Sequence, residues 1–290
     1  MSELAVAIGK AIGATLQPRP AAAVHGGSIN ECHRWESDSG PLFVKVASLT
    51  ARSMFEAEAA GLAELRRADA VRVPRVLGIA ATEQEVALVL EWIELVSTTR
   101  ASEAALGEQL AAQHRVTAAA FGWHRDNTIG STPQLNAWCD DWVSFFRERR
   151  LRPQLDLARS NGFEGRLQDA GRALLSRLDR LLPLPHEPPS LLHGDLWGGN
   201  WGTDAGGGPV IFDPAVYFGD RVADIAMTRL FGGFGASFYA AYERMWPMPA
   251  GSDRRIMLYN LYHILNHLNL FGGGYLAQAL SSIERLLRYA

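Results

Sequence analysis

The sequence predicts an α+β protein of two lobes: a small antiparallel-sheet lobe with one helix over residues 1–92, and a larger, mostly helical lobe over residues 93–290. Three observations predict it. Short apolar strand-like runs fill the first hundred residues and are interrupted by one alanine-rich helical stretch. From about residue 98 the apolar spacing becomes helical. Near residue 190 a proline cluster breaks the helical run, and two short strands follow around a glycine-rich loop. A chain of 290 residues is long enough to give each lobe a core.

The elements follow in order. Residues 1–16 form a short amphipathic helix on Leu4, Ala7, Ile8, Ala11 and Ile12, without the cationic start and long apolar core of a signal peptide. Val24 to Asn30 reads as a strand ending in the turn Gly26-Gly27-Ser28, with Cys32 to Trp35 returning and Pro41 to Val46 as a further strand. Residues 51–68 are helical, Val71 to Ile79 (with Pro74) is an extended connector, and Val86 to Leu90 is an apolar strand buried on both faces. Helices are predicted over 102–120, 136–150, 165–182, 221–230, 235–246 and 253–270. Arg147, Arg149, Arg150 and Arg152 end the second of these as a solvated cationic terminus, which the helix dipole favours. After Pro183, Pro185, Pro188 and Pro189 come strands Leu191 to His193 and Pro209 to Phe212, separated by a loop with seven glycines among residues 194–208.

Composition narrows the class. Hydrophobic residues make up 48% and charged residues 20%, the balance of a soluble globular protein. No run of 18 apolar residues predicts a membrane span. The net charge of -3 is mixed along the chain, with none of the basic striping that nucleic-acid binding needs. Two cysteines, Cys32 and Cys139, supply neither a disulfide framework nor a zinc site, which fits a reducing cytoplasm.

The chemistry is concentrated in His193-Gly194-Asp195-Leu196-Trp197-Gly198-Gly199-Asn200 and in Ile211-Phe212-Asp213. Phosphoryl transfer needs a carboxylate to take the proton of the attacking hydroxyl, and an asparagine with a second carboxylate to hold Mg2+ on the phosphates. Kinase catalytic loops place that aspartate five residues before the asparagine, as Asp195 and Asn200 are placed, and Asp213 follows an apolar strand. ATP would be cradled by the small lobe. Lys45 shares a strand face with Phe43 and Ala47, where an ammonium needs an anionic partner. Glu58 lies on the apolar helix face with Phe55, Leu62 and Leu65, whereas Glu56 falls with Ala60, Ala63 and Arg67, so Glu58 is the expected partner. Gly26, Gly27 and Ser28 can bring backbone amides over the phosphates, and Leu90-Glu91-Trp92 is the natural hinge for main-chain recognition of adenine.

Absences narrow the reading further. Gly194 precedes Asp195 where protein kinases commonly have an arginine, Asp213 is followed directly by Pro214-Ala215 instead of Phe-Gly, and no Ser or Thr occurs between Asp213 and Thr228. A phosphorylation-gated loop is therefore not expected, and a constitutively competent enzyme for a metabolite-sized group is. Trp197, Trp201 and Trp123 could form an aromatic wall, with Trp197 nearest to Asp195 as the substrate-side residue. His193 is placed on the substrate side with it, and bracing of the loop is its main expected task. His263 and His267 are expected to pack within a helix core, Asp220 and Asp224 to cap a helix with loop support as the other reading, and Asp126-Asn127 to form a turn.

The stretches Leu192 to Asn200 and Phe212-Asp213-Pro214-Ala215-Val216-Tyr217 resemble the fructosamine kinase (ketosamine 3-kinase) family. So do Phe121-Gly122-Trp123-His124, Asn136-Ala137-Trp138, Arg150 to Gln154, Phe231-Gly232-Gly233-Phe234 and the stretch Leu261 to Gly272. The resemblance covers nearly the whole chain from about residue 24. It implies a protein-kinase-like bilobal fold and ATP- and Mg2+-dependent phosphorylation of the 3-hydroxyl of a small-molecule or protein-bound ketosamine. The phosphorylated adduct breaks down and frees the amine, which would make the reaction a deglycation. Carried over, Asp195 is the base, Asn200 and Asp213 are the metal ligands, and Lys45 and Glu58 are the ATP pair. Some members carry a cysteine directly after the glycine pair; here that position is Ser28, and Cys32 lies four residues on. The block around Asp195 is shared with aminoglycoside and choline kinases, so a kinase for another amino alcohol, or a nucleotide-binding pseudokinase, stays open. A metal-dependent hydrolase on the same glycine loop would have no use for Lys45 and Glu58.

Overall fold

The computed structural model describes residues 2–17, 20, 22–23, 31–183 and 185–290. The strand and turn expected over Val24 to Asn30, with Gly26, Gly27 and Ser28, lie outside the described residues. Helix α1 (Glu3–Ile12) is capped by the Ser2 hydroxyl, which accepts from Ala5 N, and ends on Gly13 in the left-handed conformation. It is followed by β1 (Ala22–Ala23), β2 (Glu31–Ser37), β3 (Gly40–Ser48), helix α2 (Arg52–Ala68), β4 (Val76–Ala81) and β5 (Glu85–Glu91). The strands form one antiparallel sheet in the order β1-β2-β3-β5-β4.

Both faces of this sheet are covered, which explains the unbroken apolar run of β5. Ala87 and Val89 point with Val44, Val46 and Trp35 toward Leu4, Ala5 and Ile8 of α1. Val86, Leu88 and Leu90 point the other way, into a core shared with Phe55, Leu62 and Leu65 of α2. Strand alternation sends successive residues to opposite sides, so a strand packed between two helices must be apolar throughout. One expectation is corrected here. Val76–Ala81 is a strand paired with β5, so only residues 71–75 remain as connector. Arg72 also makes a parallel bridge to Val210, tying that connector to the second lobe.

The second lobe starts with β6 (Leu95–Val96) and α3 (Arg100–His114), whose start is closed by a reciprocal Thr99–Ser102 capping box. The hairpin β7 (Asn127–Ile129) and β8 (Thr132–Gln134) follows, then α4 (Trp142–Phe146) and α5 (Arg152–Ser160), joined by a π-helical turn over Arg147–Leu151. Next are α6 (Arg166–Leu175), α7 (Leu178–Leu181), β9 (Ser190–Leu192), β10 (Trp201–Asp204), β11 (Pro209–Ile211) and β12 (Tyr217–Gly219). Helices α8 (Val222–Leu230), α9 (Ala236–Met245), α10 (Ser252–Phe271) and α11 (Leu276–Leu287) complete it.

Five readings change. Helix α3 stops at His114, and Thr117 instead bridges to Ser190. The helix expected from residue 136 begins at Trp142, capped by Asp141; the residues before it are extended, with Cys139 and Phe121 exchanging both backbone hydrogen bonds. The glycine-rich loop contains β10, which pairs with β11 and β6, and α11 was not expected at all. Finally, Arg150 is not on a solvated helix end: it is fully buried. Pro153 has no N–H for the helical bond to the Arg149 carbonyl. The chain widens to a π turn there, and the Arg150 guanidinium donates to that carbonyl at 3.0 Å.

Helices α3 and α9 cross at Gly107, where an added Cβ would lie 2.3 Å from Phe238 O and 3.0 Å from Tyr242 N. Both obstacles are backbone. Gly107→Ala should therefore destabilise by about 1–3 kcal/mol, although alanine is the better helix former by about 1 kcal/mol. Urea denaturation measures this, and a stabilised variant would show that α3 and α9 are not in such close contact.

Candidate active site

Three segments meet at Lys45. Its ammonium lies 2.7 Å from Glu58 Oε1 of α2 and 2.5 Å from Asp213 Oδ1, beyond the end of β11. Strand alternation turns Lys45 toward α2, and helical periodicity turns Glu58 to meet it. Glu56 faces solvent and pairs with Arg52 at 2.9 Å. Burial works against the ammonium, but Glu58 and then Asp213 outweigh it and hold Lys45 firmly protonated. Cys32 stands opposite Lys45 in the β2–β3 register; burial pushes its thiol up, with Lys45 pulling the other way, so it stays a thiol.

Asp195 and Asn200 stand beside Asp213, with Asn200 Nδ2 3.5 Å from Asp213 O. Asn200 Nδ2 donates to Asp195 O at 2.8 Å and to Asp195 Oδ2 at 3.3 Å, so the five-residue spacing brings the two side chains together. Asn200 O accepts from Phe212 N, which ties the loop to the chain leading into Asp213. Asp213 has φ +57, one of two non-glycine residues with positive φ among the described residues. Such a conformation costs on the order of 1–3 kcal/mol and accumulates where function requires it. Burial, then the charges of Asp213 and Asp224, push the Asp195 carboxyl up to about 7.

The loop is held from beneath by Asp224 of α8. Its carboxylate accepts from His193 N at 2.7 Å and Gly194 N at 2.8 Å, and it meets His114 Nε2 at 3.1 Å. Burial alone would raise the Asp224 carboxyl, but the His114 interaction and the backbone donors hold it below the ordinary value. Loop support, rather than capping, is thus the role of Asp224. Asp220 accepts from Val222 N at its own helix start and also from Tyr259 and Arg255. Gly194 has φ +83, and a Cβ there would lie 2.0 Å from Ala215 O, so only glycine fits between Asp224 and the segment after Asp213.

The remaining expected residues divide. His193 has no exposed surface: Nε2 is 3.0 Å from Phe212 O and Nδ1 accepts from Asp195 N. It braces the loop, and its placement on the substrate side is corrected because its ring is enclosed. Trp197 is 37% exposed and lies across Gly199, whereas Trp123 and Trp201 are core residues, hydrogen-bonded to Glu64 and to Gly233 O. Of the three-tryptophan wall, only Trp197 faces outward. Asn127 is buried in a side-chain network and is not a simple turn residue. His263 and His267 pack within α10, with His267 Nδ1 2.8 Å from His263 O. At the hinge, Leu90 is buried, Arg34 lies over the Trp92 ring at 5.0 Å, and the Glu91 side chain accepts from Arg75 N. Glu91 turns into a groove of about 660 Å³ shared with Arg72 and Asp204, and its N–H donates to Arg75 O at 2.9 Å.

No group of three or more His, Cys, Asp or Glu that could hold a metal exists among the described residues. Mg2+ does not require one, since it commonly takes one or two protein carboxylates and completes its shell with water and phosphate oxygens. Asn200 and Asp213 fit that pattern, and their oxygen chemistry suits a hard cation.

A family model described as fructosamine kinase matches residues 1–289. The chain is 44% identical over 267 residues to a protein named as a ketoamine kinase in Synechocystis sp., covering 92% of this chain and 90% of that one. It is 42% identical over 270 residues to the chloroplastic protein-ribulosamine 3-kinase of Arabidopsis thaliana, covering 92% and 82%. A solved structure named as a fructosamine-3-kinase from Thermobifida fusca superposes with a TM-score of 0.85 at 32% identity, over 99% of both chains. An aminoglycoside phosphotransferase solved with ADP and hygromycin B shares the fold, with a TM-score of 0.66 at 16% identity over 100% and 99% of the two chains.

The raised Asp195 carboxyl carries a stability consequence. Its folded value of about 7 lies above the ordinary 3.8, so its contribution is fully present below the lower value and is lost as pH rises to the upper one. Asp195→Asn removes that loss. Its melting temperature relative to wild type should climb from about pH 4 and level off above about pH 7. A difference that stays flat across that range in thermal melts would show that the carboxyl is not raised.

Proposed function

The chain belongs to the fructosamine kinase family, and from that premise we propose that it is an ATP-dependent kinase that phosphorylates the 3-hydroxyl of ketosamines. The observation that carries the reading is the meeting of Lys45 and Glu58 with Asp213, which stands beside Asn200 and Asp195. This is the set of groups that phosphoryl transfer requires. Lys45, oriented by Glu58, would engage the α- and β-phosphates. Asp195 would accept the proton of the 3-hydroxyl as that oxygen bonds to the γ-phosphorus, while the bond to the β-phosphate oxygen breaks and ADP departs. Asn200 and Asp213 would hold Mg2+, which supplies charge neutralisation on the phosphates. A carboxyl near 7 in the free enzyme is well matched to a general base at neutral pH. Trp197, exposed two residues from Asp195, is the side chain best placed to flank a sugar adduct.

The acceptor is a ketosamine, free or on a protein, since relatives at 42–44% identity are named as ketoamine and protein-ribulosamine kinases. Phosphorylation at the 3-position destabilises the adduct and frees the amine, so the reaction serves deglycation. No helix among the described residues is long and apolar enough to cross a membrane. The cytoplasm, with its supply of ATP, is the setting in which we place the activity.

A coupled ADP-release assay with Mg-ATP and ribulose-lysine or fructose-lysine tests the reading. Wild type should turn over at least one adduct, and Asp195→Asn should lower kcat by roughly 10²–10⁴-fold. Bound ATP with no turnover of either adduct would remove the ketosamine assignment.

A further inference from the structure

Arg150 is fully buried, and no carboxylate forms an ion pair with it among the described residues. Its guanidinium lies 4.0 Å from the centre of the Tyr217 ring and 4.7 Å from that of Phe145. Removing such a charge from water is costly, and surrounding rings offset part of the cost. Arg150 Nη1 donates to Leu135 O at 2.5 Å and to Arg149 O at 3.0 Å, and its Nη2 heads a chain of buried amides. Arg150 Nη2 donates to Asn136 Oδ1 at 2.8 Å, and Asn136 Nδ2 donates to Asn127 Oδ1 at 2.8 Å. Asn127 Nδ2 donates to Val216 O at 2.8 Å. Gln134 Nε2 bonds Asn127 Oδ1 at 2.9 Å and Ala215 O at 3.0 Å, and Gln134 Oε1 accepts from Tyr262.

The direction of this chain is not arbitrary. An amide side chain can flip, exchanging donor for acceptor, but a guanidinium can only donate. With Arg150 at its head, Asn136 must present its oxygen to it and its nitrogen to Asn127. Asn127 must then turn its own nitrogen to the Val216 carbonyl. The carbonyls so gripped are two and three residues beyond Asp213. Ala215 is also the residue against which Gly194 packs, and its N–H donates to His193 O at 2.8 Å.

We propose that Arg150 is a positioning residue for phosphoryl transfer: it polarises the Asn136–Asn127–Gln134 relay that clamps Ala215 and Val216, and so fixes Asp213 relative to Asp195. The inference rests on the kinase reading above. In place of a segment ordered by phosphorylation, the chain after Asp213 is held permanently by a buried cation about 65 residues upstream in sequence.

Three variants test this in the full-length protein. Arg150→Met removes the donor, Arg150→Lys keeps a donor-only cation, and Asn136→Asp keeps shape and gives Arg150 an ion-pair partner but cannot donate to Asn127. Turnover of ketosamine at saturating Mg-ATP, KM for both substrates, melting temperature and hydrogen–deuterium exchange over residues 193–195 and 213–218 are compared with wild type. Arg150→Met and Asn136→Asp should lower kcat by about 10–100-fold, the usual cost of losing outer support of a reactive group, with KM for the ketosamine unchanged. Both should raise exchange in those two stretches, and Arg150→Lys should restore most of both readouts. Asn136→Asp carries the test if Arg150→Met fails to fold. Unchanged kcat and exchange in folded Asn136→Asp, or a fall in melting temperature alone, would overturn the proposal. If wild type turns over no ketosamine, the kinase reading fails by itself, and the exchange comparison still decides whether Arg150 holds the segment.

Discussion

The buried ammonium of Lys45 is the constraint from which the site follows. An isolated charge at this depth is not tolerated, so the strand that carries it must be met by anions from elsewhere. Glu58 comes from the helix packed on that strand, and Asp213 from the other lobe, 168 residues on. The pair of contacts therefore fixes the orientation of α2 on the sheet and draws the two lobes together. It also concentrates negative charge on the far side of the cleft, because Asp195 and the metal-binding candidate Asp213 stand close enough to raise the Asp195 carboxyl.

Much of this was legible from spacing alone. The choice of Glu58 over Glu56 needed only helical periodicity and the apolar face of α2. The Asp195–Asn200 interval and the strand before Asp213 were enough to bring these residues to one place, since the separation along the chain is short and the loop is tight. The parts that could not be read share a physical character: buried polar groups satisfied by partners far away in sequence. His114 reaches Asp224 across 110 residues, and Gln134 reaches Tyr262 across 128. No local pattern marks such a pair.

Arg150 shows how a local rule can mislead. Four arginines in six positions at a helix end are normally solvated, and the dipole argument is sound for an α-helix that ends there. Pro153 changes the premise. By withholding a donor from the Arg149 carbonyl it favours a wider turn, the helix continues, and Arg150 rotates inward while Arg152 stays out. The signal was present as a proline directly after the basic run. Likewise β10 was hidden by the glycines around it, although Trp201 and Thr203 alternate with Gly202 and Asp204 in strand period.

The catalytic loop is thus supported on two sides by different means. Below, the Asp224 carboxylate, oriented by His114, takes the amides of His193 and Gly194. Behind, the Ala215 carbonyl lies where any Cβ on Gly194 would stand. Both supports act on backbone, so neither occupies the side chains of Asp195 and Asn200, which bond to each other. Backbone anchoring of this kind suits a phosphotransferase: the geometry exists before the substrate arrives, and no binding energy is spent on ordering a mobile loop. The cost is met in stability, through a left-handed aspartate, a raised carboxyl and an arginine without an ionic partner, all within one region of the fold.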